Sequence, residues 1–314
     1  MAVFLHSISG VLVILVMVAI GFWLNERGWF GDQASSLMTK LVTQLALPAY
    51  MISTIMGRFT AKELLEMLPQ LRFPVLSMVI LLGIATAIAQ LFAVDKSHRG
   101  LFISMFFNSN TVFVGLPINQ ALFGDKSIPY VLVYYMCNTT FFWTIGTYLI
   151  QKDGQKTASI DWRSSLRKIF SPPLLGFIVG VILVLLKVKL PDFLMSDLQY
   201  IGNLTIPLSM LFIGLTVSRA GLSQLALKKD HLLILLGRFV IAPLLMTLIL
   251  WQTNLPHLMK EVFIIQSAMP VMTNAPIIAR MYDADTDYAA VMVTETTLMT
   301  MLVVPILTIL VNAI

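Results

Sequence analysis

The chain has 314 residues, 58% of them hydrophobic and only 12% charged, with a formal net charge of +5. A soluble domain is about a quarter charged, so this composition belongs to a polytopic membrane protein. The basic excess is therefore not a nucleic-acid patch, and the single cysteine, Cys137, excludes an intrachain disulfide framework.

The first apolar segment, "FLHSISGVLVILVMVAIGFWL", lacks a basic leader and a small-residue cleavage site, and it reads as a retained span. At about 20 apolar residues per crossing, ten spans are expected, centred near Ile14, Leu47, Leu82, Val112, Phe141, Val179, Ser209, Val240, Ala268 and Leu302. They divide into a first five-helix repeat (1–150), a basic linker (151–170) and a second five-helix repeat (171–314). Lysine and arginine concentrate in the odd-numbered loops, most of all in the linker, with Lys152, Lys156, Arg163, Arg167 and Lys168. Odd loops are accordingly expected in the cytoplasm and both termini outside. The amphipathic "RSSLRKIF" is expected at the interface, against anionic headgroups.

The sequence repeats itself. "LALPAYM" ending at Met51 matches "LTIPLSM" ending at Met210, and "GLPI" ending at Ile118 matches "NAPI" ending at Ile277, both at an offset of 159. Each half has an odd number of spans, so the second copy must be inserted upside down. Inverted repeats are a signature of secondary transporters, whose substrate site lies between the copies near mid-membrane.

Spans four and nine carry the polar and helix-breaking residues. Pro117 with Gly115 is expected to interrupt span four, and Pro270 with Pro276 span nine. Freed backbone groups cannot face lipid, so they must line a protein-enclosed site. Two half-helix N-termini at one depth suit an anion such as a carboxylate. Asn108, Asn110 and Thr111 from one repeat, with Thr273 and Asn274 from the other, supply neutral hydrogen-bond partners. Simple kinking and close helix packing are the bland readings of such residues. Thr43, Gln44, Asn203 and Thr205, beside Pro48 and Pro207, either approach the site or pack helices.

"NTVFVGLPI" in span four and "SAMPVMTNAPIIARMYDADTDYAAVMV" in spans nine and ten resemble the auxin efflux carrier family of membrane transporters. The resemblance covers essentially the whole chain. It implies a PIN- and bile-acid-transporter-like fold in which spans four and nine cross at their breaks and hold the substrate carboxylate. Carried over, it points to Asn110 and Pro117 with Pro270 and Pro276. It also implies a dimerising scaffold of spans one, two, six and seven and a moving domain of the other six. Bacterial members are usually malate, malonate or related carboxylate permeases of the cytoplasmic membrane.

Two charges fall inside spans. Glu295 and Arg238 read either as a proton-coupling carboxylate and a substrate counter-ion, or as a structural pair, with Arg238 alternatively reaching for headgroups. His6, His98, His231 and His257 show no metal spacing, and "DADTD" lacks the later glycine and glutamate of a calcium loop. No metal or cofactor is expected. The function expected is secondary transport of a small organic anion, with coupling to protons or sodium open. A sodium-coupled carrier of the bile-acid type and a non-transporting sensor are the alternatives. An enzyme is disfavoured, because no nucleophile motif is present.

Overall fold

The computed structural model describes residues 2–154, 163, 170–220 and 228–311. Most of the linker, including nearly all of "RSSLRKIF", lies outside the described residues. Among the described residues every regular element is helical. In chain order these are α1 (Ala2–Glu26), α2 (34–58), α3 (Ala61–Leu91), α4 (Arg99–Phe107), α5 (111–123), α6 (128–153), α7 (Pro172–Leu185), α8 (Asp192–Gly202), α9 (Thr205–Ala220), α10 (Lys229–Leu250), α11 (His257–Ser267), α12 (Ala275–Met281) and α13 (Thr286–Val311). Among the described residues five helical stretches are long and apolar enough to cross a membrane: Ala61–Leu91, Arg99–Phe123, Asp192–Arg219, Lys229–Leu250 and Thr286–Val311.

Local chemistry sets the ends. Thr60 and Glu63 form a reciprocal capping box at the start of α3, with Glu63 Oε2 2.9 Å from Thr60 N. Gly124 ends α5 at φ +70°, a conformation that favours glycine. Helix bounds also recur at the 159-residue offset: Leu116–Phe123 of α5 corresponds to α12, and α4 to α11.

Packing is closest where glycine removes a side chain. α1 lies along α9, and a Cβ on Gly21 would sit 2.6 Å from the Leu211 carbonyl oxygen. α2 packs on α7 and α8, with Gly176 against the Pro48 backbone. Outer faces of α3, α10 and α13 leave Val79, Leu244, Leu248, Leu302 and Ile306 exposed, which is the surface a lipid bilayer covers. Charged ends gather by side. Arg219 donates to the carbonyls of Phe30, Gly31 and Asp32, and His98 meets Asp230 and Asp285. Arg58 meets Asp125 at 2.7 Å, which joins loops of even number in the sequence reading.

Candidate functional site

Two helices open. Between α4 and α5 the chain extends over Asn108–Asn110, and between α11 and α12 over 268–274. The open stretches meet, because Asn110 N donates to the Pro270 carbonyl at 2.8 Å. Their remaining backbone groups are satisfied from neighbouring helices. Asn138 of α6 takes the Ser109 N–H on Oδ1 at 2.8 Å and returns Nδ2 to the Ser109 carbonyl at 2.7 Å. Thr296 of α13 accepts from Val271 N at 3.1 Å. Gln266 Nε2 donates to the Thr111 carbonyl at 3.2 Å, tying the end of α11 to the start of α5.

The opening in the first strand of the crossing precedes the proline expected to cause it. Asn110 caps α5, its Oδ1 accepting from Phe113 N at 3.2 Å, and a wide turn bonds Gly115 N to the Asn110 carbonyl at 3.0 Å. Pro117 follows as the seventh residue of α5, just after that wide turn, which shifts the hydrogen-bond ladder where the proline N–H is missing. Pro276 is the second residue of α12, where an absent N–H costs nothing, and Pro270 alone of the three lies in an opening. A Cβ on Gly115 would clash with the Gln266 carboxamide oxygen, so that side chain would have to move.

Arg238 holds the other end of both half-helices. It is completely buried. Its Nη1 donates to the Phe106 carbonyl at 3.0 Å, Nη2 to Ser267 and Met269 at 2.5 and 2.9 Å, and Nε to Met269 at 3.0 Å. These carbonyls terminate α4 and α11, where helix dipoles leave partial negative charge. The guanidinium thus serves as a shared C-terminal cap. Glu295 meets a different partner: its carboxylate oxygens lie 3.1 and 3.0 Å from His231 Nδ1.

Beside the crossing lies a cavity of about 280 Å³. Of the residues expected at the site, it brings together Asn110, Thr111, Thr273 and Asn274, and with them Thr43 and Gln44 of α2. Asn108 points away, its Nδ2 on the Ser104 carbonyl at 3.1 Å. Gly115, Pro117, Pro270 and Pro276 shape the crossing without lining this cavity, as does Arg238, and Glu295 does not line it either. Tyr135, Thr139, Trp143 and Met272 line it too, and sequence reading passed them over. Asn138 was equally overlooked, although an asparagine in an apolar span was itself the signal. The Nδ2 of Asn110 and the hydroxyl of Thr139 are buried with no hydrogen-bond partner among the described residues. Among the described residues no charged side chain lines the cavity.

The sequence profile of a family described as membrane transport protein matches residues 6–308. The chain belongs to that family. Its relatives include an uncharacterized transporter of Methanocaldococcus jannaschii, 25% identical over 94% of this chain and 95% of that protein. Another is an uncharacterized transporter of Methanothermobacter thermautotrophicus, 26% identical over 97% and 98%. The chain is thus an integral membrane protein of a transporter family, and the likeness to auxin efflux carriers read from the crossing motifs holds along nearly its full length. Membership accounts for the otherwise costly polarity of the two openings. A transporter needs polar groups at depth, provided that protein rather than lipid surrounds them.

Proposed function

We propose that this chain is a secondary transporter of a small organic anion, a mono- or dicarboxylate such as malate or malonate, working by alternating access. One observation carries the reading: a cavity at the crossing of two opened helices, into which Asn110 presents an unpartnered amide donor. The carboxylate would take that amide, the Thr139 hydroxyl and the positive end of α5. Neutral donors hold an anion without binding it too tightly to release. At about 280 Å³ the cavity lies just below the usual range of ligand pockets, roughly 300–1,000 Å³, which favours a small substrate.

The same proposal includes ten spans in two inverted repeats, supported by the helix bounds that recur at the 159-residue offset. It includes an inner-membrane location with odd loops cytoplasmic: the contacts of Arg219 and of His98 with Asp230 and Asp285 support a common side for those loops, and their lysine and arginine excess supports the cytoplasmic one. A scaffold of α1, α2, α7, α8 and α9, through which two copies would pair, is supported by their close mutual packing.

Uptake of labelled malonate and malate into proteoliposomes, with imposed pH or sodium gradients, tests the reading. Asn110→Ala removes a hydrogen bond to a charged group, worth about 1.5–3 kcal/mol, so apparent affinity should fall on the order of 10- to 100-fold. Unchanged uptake by folded Asn110→Ala would place the substrate elsewhere.

A further inference from the structure

A second cavity, of about 240 Å³, opens beside the loops that precede α4, α10 and α13. His98, Lys228, Asp230, Asp285 and Tyr288 line it, together with the buried His231. His98 sits between two carboxylates, its Nε2 3.1 Å from Asp230 and its Nδ1 3.6 Å from Asp285. Its ring packs on Tyr288 with centroids 4.3 Å apart, and Tyr288 packs on His231 at 5.4 Å. His231 in turn faces both carboxylate oxygens of Glu295. A row of ionisable groups therefore runs from the outer acids to a buried imidazole–carboxylate pair.

Two observations distinguish this row from an ordinary ion pair. The Tyr288 hydroxyl, on the wall of the cavity, is buried with no hydrogen-bond partner among the described residues, and Tyr288 is only 8% exposed. A cavity of this size and polarity accommodates several waters, and the hydroxyl is placed to bond one. The pair is also joined to the crossing along both of its helices. Thr296, the residue after Glu295, holds Val271 in the second opening. Arg238, two turns beyond His231 on α10, caps α4 and α11. Other charges nearby are engaged elsewhere or lie at the rim. Asp153 accepts from the N–H groups of Gly100 and Leu101, Arg99 donates to the Val94 carbonyl and Lys229 to the Phe92 carbonyl. Asp287 and Lys228 stand at the cavity wall. An imidazole facing both oxygens of a carboxylate is a site that a proton suits.

We propose that His231 and Glu295 form a proton-binding site, loaded from water through the His98–Tyr288 cavity, and that its proton travels with the substrate anion. Only the last clause rests on the function proposed above. With His231 neutral and Glu295 ionised the pair carries one negative charge. One proton taken from water makes it neutral, and release to water restores the charge with no covalent change. Entry of a monoanion with one proton would then leave the transport cycle electrically neutral.

Infrared difference spectroscopy of the purified protein between pH 5 and 8, the range in which histidine titrates, tests the site without any substrate. Wild type should show a pH-dependent carboxyl and imidazole signal that is absent from Glu295→Gln and from His231→Gln. The same signal in folded Glu295→Gln would overturn the site. If Glu295→Gln does not fold, Glu295→Asp and His231→Gln carry the comparison. Coupling is read in proteoliposomes holding a trapped pH dye. Malonate entry should raise the internal proton concentration in wild type and not in His231→Gln. Malonate entry without proton movement in wild type would overturn the coupling. If malonate does not move at all, the substrate assignment fails, and the infrared titration still decides the proton site.

Discussion

Replacing Arg238 separates a structural cap from a substrate counter-ion. Arg238→Met keeps most of the side-chain volume but orphans the carbonyls of Phe106, Ser267 and Met269, which together accept four bonds. An unsatisfied buried acceptor costs about 1–3 kcal/mol, so three cost roughly 3–9 kcal/mol. Removing a desolvated charge returns part of this, and comparable disruptions cost about 3–5 kcal/mol. At about 2 °C per kcal/mol for a chain of this size, the melting temperature should fall by roughly 6–10 °C. Arg238→Lys keeps the charge but cannot spread one ammonium over three carbonyls, and about half that loss is expected. Cys137, the single thiol, is buried in α6 and supplies the assay. A thiol-reactive dye reports its exposure as detergent-solubilised protein is heated. A melting temperature within about 2 °C of wild type for Arg238→Met, coupled with lost malonate uptake, would refute the cap and favour a counter-ion.

Other perturbations follow from the same geometry. Asn138→Ala leaves both the N–H and the carbonyl of Ser109 without their partner. A loss of roughly 2–4 kcal/mol is expected, read as a drop of about 4–8 °C in the same melt. Thr296→Val keeps the side-chain shape and removes the acceptor for Val271 N. It should cost about 1–3 kcal/mol, whereas Thr294→Val, at a hydroxyl bonded only within its own helix, should cost far less. Gly115→Ala should push the Gln266 carboxamide from the Thr111 carbonyl. Malonate uptake would then fall more steeply than thermal stability, and an unchanged transport rate would show that the Gln266 tie is dispensable.

Much of this molecule was written in local pattern. Apolar runs fix helices, because a backbone in lipid must satisfy its own hydrogen bonds. Prolines at a common offset mark two corresponding interruptions, and asparagine and threonine beside them mark polar groups held away from lipid. Asn110, Thr111, Thr273 and Asn274 could be chosen as cavity residues on that ground alone. What sequence pattern could not supply was partnership across distance. Pro117 and Pro276 were expected to make the openings, yet Pro276 sits in the first turn after its opening and Pro117 in the second, and of the three only Pro270 lies in an opening. The helix opens where Asn138 and Thr296, from other helices, offer side-chain groups in place of backbone ones. Arg238 and Glu295 are close in depth by residue count, but their bonds run to helix ends and to His231 respectively. His98, His231 and the "DADTD" loop looked unremarkable apart, because nothing local announces that three loops will meet. Residue type and spacing thus determined which segments are helical and where they are weak. Only tertiary packing decided which groups repair those weak points and which are left open, because each depends on a neighbour distant in the chain.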